Sequence, residues 1–238
     1  MFPNYFSTLG KYLRAVRLAS QDTNYAVNEE FFWDQYARDW KKSENLKHGQ
    51  LVGSEWKNEE DFLGLLEKYA APDKEALEIG CGGGRITVAG VGLFKHVYAT
   101  DLSEEMLRKA REAVTGSAVS FHKLDGFTLK DFSDSSIDFV YSHDVFIQLS
   151  SLQVYPNLME IQRVLKKGGV GLISFYDFVD QFEMFKETSL RFWTRQVCPV
   201  YRRLHFLTEE MLRAMLSDIG LQVLEVQKRR FLILAFRK

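Results

Sequence analysis

The sequence predicts an α/β chain, a doubly wound and mostly parallel sheet preceded by a helical segment. Three observations predict it. After Pro72, short apolar runs alternate with amphipathic stretches at the spacing of strand–helix units. Before Pro72, large apolar residues recur at helical spacing: Phe31, Phe32, Trp33, Tyr36 and Trp40, then Phe62, Leu65, Leu66 and Tyr69. The 238 residues exceed one nominal domain and fall short of two comfortable ones. Residues 1–70 are therefore expected to form a cap or lid, broken near Gly49 to Gly53, and residues 71–238 the sheet domain.

The elements follow in order. A strand at 76–79 leads into a helix at 86–93, and a strand at 96–100 into a helix at 104–114. That second helix opens on Ser103, an N-cap type, with Glu104 and Glu105 in its first turn and Lys109 and Arg111 later, as the helix dipole favours. Strands at 118–123 and 137–142 come next, then a helix over 152–165. Lys166, Lys167, Gly168 and Gly169 read as its end, because glycine takes the positive φ of a C-terminal cap. A strand at 170–175 follows, then a helix at 209–217 capped by Thr208. Two strands, 222–227 and 231–236, close the chain; the connection between them is too short for a parallel crossover, so they pair antiparallel.

Composition narrows the function classes. With 46% hydrophobic and 26% charged residues the chain is globular, neither disordered nor fibrous. A formal net charge of −1 argues against a dedicated nucleic-acid binder, which carries a basic excess. The clusters Lys41-Lys42, Arg202-Arg203 and Lys228-Arg229-Arg230 are scattered and read as solvated faces. Two cysteines make no disulfide framework and fit a reducing compartment, so a soluble cytoplasmic protein is expected. No apolar run is long enough to span a bilayer. Leu9, Leu13 and Val16, with basic residues between them, mark an amphipathic N-terminal helix that folds on the main domain or meets a membrane surface.

The informative segment is Glu78-Ile79-Gly80-Cys81-Gly82-Gly83-Gly84-Arg85, where the first strand meets the first helix. Glycines let the backbone turn sharply and approach a ligand, and open α/β sheets bind ligands at the carboxyl ends of their strands. A dinucleotide G-x-G-x-x-G would need glycine at Arg85, and a phosphate loop would need Gly-Lys-Ser/Thr; both fail. Asp101 lies 21 residues beyond Gly80 at the end of the second strand. One carboxylate there can accept from two vicinal hydroxyls, and the same side chain can cap a helix.

An acid two residues before G-x-G-x-G, with a second acid ending the next strand, resembles the class I S-adenosylmethionine-dependent methyltransferases. The likeness runs from about Gly53 to Phe236. It implies a Rossmann-like seven-stranded sheet with an antiparallel last strand, and S-adenosylmethionine as cofactor. Carried over residue by residue, it implies cofactor contacts at Glu78, Gly80, Cys81, Gly82 and Gly84, at Asp101 and Leu102 for the ribose, and at Asp125 and Gly126 for adenine. Asp125-Gly126 is also an ordinary turn pair. Ser142, His143 and Asp144 resemble the fourth strand's end and the substrate-facing loop. Ser142 is grouped with the cofactor contacts, and His143 and Asp144 are the candidate catalytic side chains. Arg163 to Gly169 resembles the family's R-V-L-K-P-G-G turn, with Lys167 in place of proline. Leu51 to Trp56 and Ser142 to Leu149 resemble one bacterial branch, in which histidine is common where Gln148 stands.

Methyl transfer from a sulfonium needs an acceptor held in line, and a base only where the acceptor carries a proton. His143 is a candidate base and equally a candidate structural hydrogen-bond partner. Tyr176 and Asp177 are candidate pocket walls, and Trp33, Tyr36, Trp40 and Trp56 candidate lid rings. Tyr36, with a ring and a hydroxyl, is expected to touch the cofactor. No metal is expected, because Asp144 and Asp177 lack a clear third oxygen ligand. The expected acceptor is a small or medium metabolite. The alternative is a non-catalytic cofactor-binding or partner-regulating module of the same fold, and a nicotinamide-dependent oxidoreductase is disfavoured by Arg85.

Overall fold

The computed structural model describes residues 25–39, 59–126, 128–193 and 204–238. Within them a helix α1 (Tyr25–Asp39) and a helix α2 (Glu60–Tyr69) precede the sheet. The body alternates β1 (Glu75–Ile79), α3 (Thr87–Leu93), β2 (His96–Asp101), α4 (Glu104–Ala113), β3 (Val119–Lys123) and β4 (Ile137–Ser142). It continues with α5 (Ser151–Val164), β5 (Leu165–Asp177), α6 (Phe182–Trp193), β6 (Phe206–Leu207), α7 (Glu209–Asp218), β7 (Gln222–Lys228) and β8 (Leu232–Arg237). Strands run in the order β3-β2-β1-β4-β5-β8-β7, with the two-residue β6 pairing parallel to the end of β5. β3 to β5 are mutually parallel; β8 runs antiparallel to β5 and to β7, as the short 228–231 connection requires.

Apolar side chains from both faces of the sheet make two clusters. Leu77, Val140, Ile173 and Leu234 pack on α5 and α7 through Leu158, Ile161 and Leu212. Ala76, Phe139, Leu172 and Ile233 pack on α2, α3 and α4 through Phe62, Leu66, Ile86 and Leu107. Burial on both faces explains why these strands read as apolar runs rather than alternating ones.

The expected caps form. Ser103 accepts from the N–H of Met106, and Thr208 from that of Met211. Asp34 of α1 joins the first of these caps, its Oδ1 accepting from Ser103 Oγ at 2.5 Å and from the Glu105 N–H at 3.2 Å. α1 is thereby fastened to the N-terminus of α4, beside the end of β2.

Two expectations are corrected. Gly168 and Gly169 do not cap α5, which stops at Val164 with Leu165 already extended. They lie inside β5 as an excursion between the pairs Ile137–Leu165 and Phe139–Val170, with Gly168 at φ 81°. The cause is the C-terminus: Lys238 O accepts from the Gly168 N–H at 2.8 Å, and Lys238 N–H donates to Gly169 O at 3.0 Å. The second correction is that α6 and β6 stand where no element was anticipated. The amphipathic stretch 1–20, Trp40, the break near Gly49, the segment 51–56, Arg202-Arg203 and Cys198 fall outside the described residues.

Candidate functional site

The carboxyl ends of β1, β2 and β4 open into one cleft, closed on one side by α1. The turn after Ile79 builds its floor. Gly80 takes φ 75°, and both its N–H and that of Cys81 donate to Thr100 O at 2.8 Å, stitching the loop to the end of β2. A Cβ on Gly80 would stand 2.2 Å from Val145 Cγ2. At Gly82, also left-handed, a Cβ would meet nothing within 4 Å, because this stretch of backbone faces open space.

Asp101 joins loop and strand. Its Oδ2 accepts from the Gly82 N–H and its Oδ1 from the Ser103 N–H, both at 2.8 Å. Burial nonetheless pushes its pKa up to about 6; the Ser103, Gly82 and Leu102 N–H groups pull it down, and Asp34 adds to the rise. Glu78 is more deeply buried, at 3% exposure, and accepts from Tyr141 Oη at 3.2 Å. Burial pushes its pKa up to about 7, the Tyr141 bond opposing and the charge of Asp101 reinforcing. Two carboxylates held partly desolvated at strand ends suit a ligand that brings hydroxyl donors and positive charge.

Of the sequence-predicted residues, Tyr36, Glu78, Gly80, Cys81, Gly82, Asp101, Leu102, Gly126, His143 and Asp144 line this cleft. Three others do not. Gly84 (φ 91°) faces α4, where a Cβ would meet Val114 Cγ2 at 2.8 Å. Ser142 Oγ donates to Ile79 O at 2.7 Å within the sheet. The Asp125 carboxylate turns back on its own loop, accepting from Thr128 N–H and Oγ1, each at 2.8 Å, as the turn reading of Asp-Gly expects. Tyr176 stacks between Phe231 and Phe206, at 5.3 and 5.7 Å, and Asp177 Oδ1 accepts the Val179 and Asp180 N–H groups; neither lines the cleft.

His143 touches the cleft without presenting its ring there, since its side chain has 0% exposure. Phe62 covers one side of the imidazole (ring centroids 4.6 Å apart) and Phe231 packs edge-on at 4.9 Å. Burial drives its pKa down to about 4, against the pull of Asp144 and together with that of Arg85. An imidazole so enclosed has no path to an acceptor, which runs against the candidate base role.

Two charged lining residues went unassigned in the sequence. Glu29 lies one turn before Trp33, on the face of α1 that also carries Tyr36, and is 7% exposed. Its spacing from Trp33 was the available signal. Arg85, which looked only like a failed third glycine, pairs with Glu59 and Asp144. No sequence signal marks such a long-range pair. Among the described residues no cluster of three or more His, Cys, Asp or Glu is placed to hold a metal, and no helix is long and apolar enough to cross a membrane.

Residues 77–173 match the family model for a methyltransferase domain, which covers β1 through most of β5 and the whole glycine loop. Residues 77–173 thus form a methyltransferase domain, and the fold is that of the class I S-adenosylmethionine-dependent methyltransferases. Over 145 residues the chain is 26% identical to phosphoethanolamine N-methyltransferase of Triticum aestivum, covering 58% of this chain. The chain matches only 27% of that relative's length. Magnesium protoporphyrin IX methyltransferase of Synechocystis, solved with bound SAH, superposes with a TM-score of 0.62 at 17% identity, over 99% of this chain and 97% of that one. A methyltransferase structure from Methanosarcina mazei gives 0.60 at 20% identity, over 73% of this chain and 96% of that one. The chain thus shares its overall fold with solved methyltransferases.

Proposed function

We propose that the methyltransferase domain transfers a methyl group to a small or medium metabolite, with residues 1–70 serving as a cap that sets the substrate. The observation that carries this reading is the convergence of Glu78, Asp101 and the glycine loop on one cleft roofed by Trp33 and Tyr36. A cleft closed on one side by α1 suits a compact acceptor, and the balanced net charge favours a metabolite over a polyanion.

S-adenosylmethionine, when bound, supplies an electrophilic methyl on a sulfonium whose departing thioether needs no proton. The residues of this chain do the rest. Asp101 presents carboxylate lone pairs for ribose hydroxyls, and the Gly80–Gly82 backbone leaves room for close approach. Glu78 contributes negative potential beneath the loop. Tyr36 and Trp33, ring centroids 5.4 Å apart, exclude water from the reacting volume. Asp144, rather than His143, is the side chain at the end of β4 that meets the acceptor, and it orients an N–H or O–H there as hydrogen-bond acceptor. The wheat relative is a phosphoethanolamine N-methyltransferase, which supports an acceptor of this size. The cysteine usage supports a cytoplasmic setting.

Titration calorimetry with S-adenosylmethionine and S-adenosylhomocysteine (SAH), followed by labelled-methyl transfer across a metabolite panel, tests the proposal. Micromolar cofactor binding and transfer to a metabolite are expected. Folded protein that binds neither ligand, or that methylates only a macromolecule, refutes it.

A further inference from the structure

Asp144 is fixed at three points. It stands in the left-handed region at φ 63°, which aspartate tolerates better than most residues but does not seek. Its N–H donates to Ser174 Oγ at 3.1 Å, and its carbonyl accepts from Gln148 Nε2 at 2.9 Å. Its Oδ2 accepts from Arg85 Nη2 at 2.6 Å. The other arm of Arg85 donates to Glu59 Oε2 at 2.9 Å, immediately before α2. A non-glycine residue held left-handed by several neighbours is a recognised mark of a functional position.

The neighbouring imidazole competes for the same oxygen. Ser174 Oγ accepts from the Asp144 N–H and lies 3.0 Å from His143 Nδ1, to which its hydroxyl donates in one of the two neutral tautomers of the ring. In that tautomer the ring carries its own proton on Nε2. That atom is buried without a hydrogen-bond partner and lies 3.7 Å from Asp144 Oδ2, beyond hydrogen-bond reach. A buried donor that close to a carboxylate draws it in unless something holds the carboxylate elsewhere.

We propose that Arg85 is a positioning residue. Its guanidinium holds the Asp144 carboxylate at the cleft and off the His143 ring, and Glu59 anchors the guanidinium from the side of α2. The proposal rests on the reading that Asp144 faces the acceptor. The arginine after the glycine loop thereby keeps Asp144 available for an acceptor N–H or O–H. The charged groups facing His143 are Asp144 beside it in the chain, Arg85 from the glycine loop, Glu59 ahead of α2 and Arg230 from the turn before β8. Which of them Asp144 engages decides whether its carboxylate stays at the cleft.

The test is the His143 ring titration, followed by ring proton–nitrogen NMR on the full chain, with SAH calorimetry on the same samples. Arg85→Met is expected to raise the His143 midpoint by about one pH unit or more, as Asp144 swings onto Nε2 and favours the imidazolium. Arg85→Lys, which keeps a cation for Asp144, should return it to within a few tenths of wild type. Loss of the arginine charge alone would also raise the midpoint, so Arg85→Met is paired with Asp144→Asn. Measured against Asp144→Asn alone, the double variant should keep only the smaller rise that the lost charge gives. A rise as large in the Asp144→Asn background as in the wild-type background, or an unmoved midpoint in folded Arg85→Met protein, overturns the proposal. Where Arg85→Met does not fold, Arg85→Gln keeps one donor and is expected to raise the midpoint by a smaller amount; no rise there overturns the proposal equally. Wild-type protein that shows these shifts but binds no SAH refutes the methyltransferase reading and leaves the arginine's role standing.

Discussion

Gly80→Ala perturbs the floor of the cleft at its tightest point, and its cost can be worked out in two parts. Alanine at φ 75° occupies the left-handed region at a cost of roughly 1–2 kcal/mol. Its Cβ, 2.2 Å from Val145 Cγ2 and 3.1 Å from Cγ1, adds an overpacking cost of roughly 1–3 kcal/mol. Together these give about 2–5 kcal/mol, to be read as a fall in urea midpoint at constant m-value. Only the second part depends on Val145. In Gly80→Ala/Val145→Ala the clash is gone and the backbone cost stays, so the double variant should be more stable than the sum of the singles by about 1–3 kcal/mol. SAH affinity should fall in the single variant, because the loop must shift, and recover in part in the double. Additive costs, within about 0.5 kcal/mol, would refute the claim that the Gly80–Val145 approach shapes the loop.

Four further expectations follow from the carboxylates. Glu78 and Asp101 have folded-state pKa values raised to about 7 and about 6, so both hold protons in the empty cleft that a cationic ligand would displace. S-adenosylmethionine affinity should therefore rise as pH increases from about 5.5 to 7.5, with proton release visible as buffer-dependent heats; a flat or falling profile contradicts this. The same raised values mean that ligand-free protein loses stability as pH climbs through them, and Glu78→Gln, neutral throughout, should remove roughly 1–3 kcal/mol of that loss between pH 5 and 8, measured by denaturation at both pH values. Asp101→Ala should weaken cofactor binding by roughly 1–3 kcal/mol with the fold retained; an unchanged dissociation constant would take Asp101 out of the site. Asp34→Ala removes the shared cap on α4 and should cost about 0.5–2 kcal/mol of thermal stability, with a matching loss of SAH affinity that calorimetry would detect.

The sheet was legible because its strands are buried on both faces and its helices announce their starts: Ser103 and Thr208 cap where local chemistry says they must. The glycine loop and Asp101 were legible for the same reason, since backbone geometry at positions 80 and 82 needs the residue type found there. What the sequence hid depends on distant partners. The polar end of β4 suggested a base at His143, but its enclosure comes from Phe62 and Phe231, 81 and 88 positions away in opposite directions along the chain. Arg85 gave no sign of pairing with Asp144, and Gly168-Gly169 misled because the groups that decide their conformation belong to Lys238.

The fastening of α1 through Asp34 carries a thermodynamic obligation. Ser103 offers its N–H to Asp101 and its hydroxyl to Asp34, so one residue serves both the expected ribose contact and the docking of α1. Any free energy by which a bound nucleoside tightens the hold on α1 must reappear, undiminished, as tighter nucleoside binding when α1 is docked. To the extent of that coupling, releasing a nucleoside and loosening α1 favour one another equally.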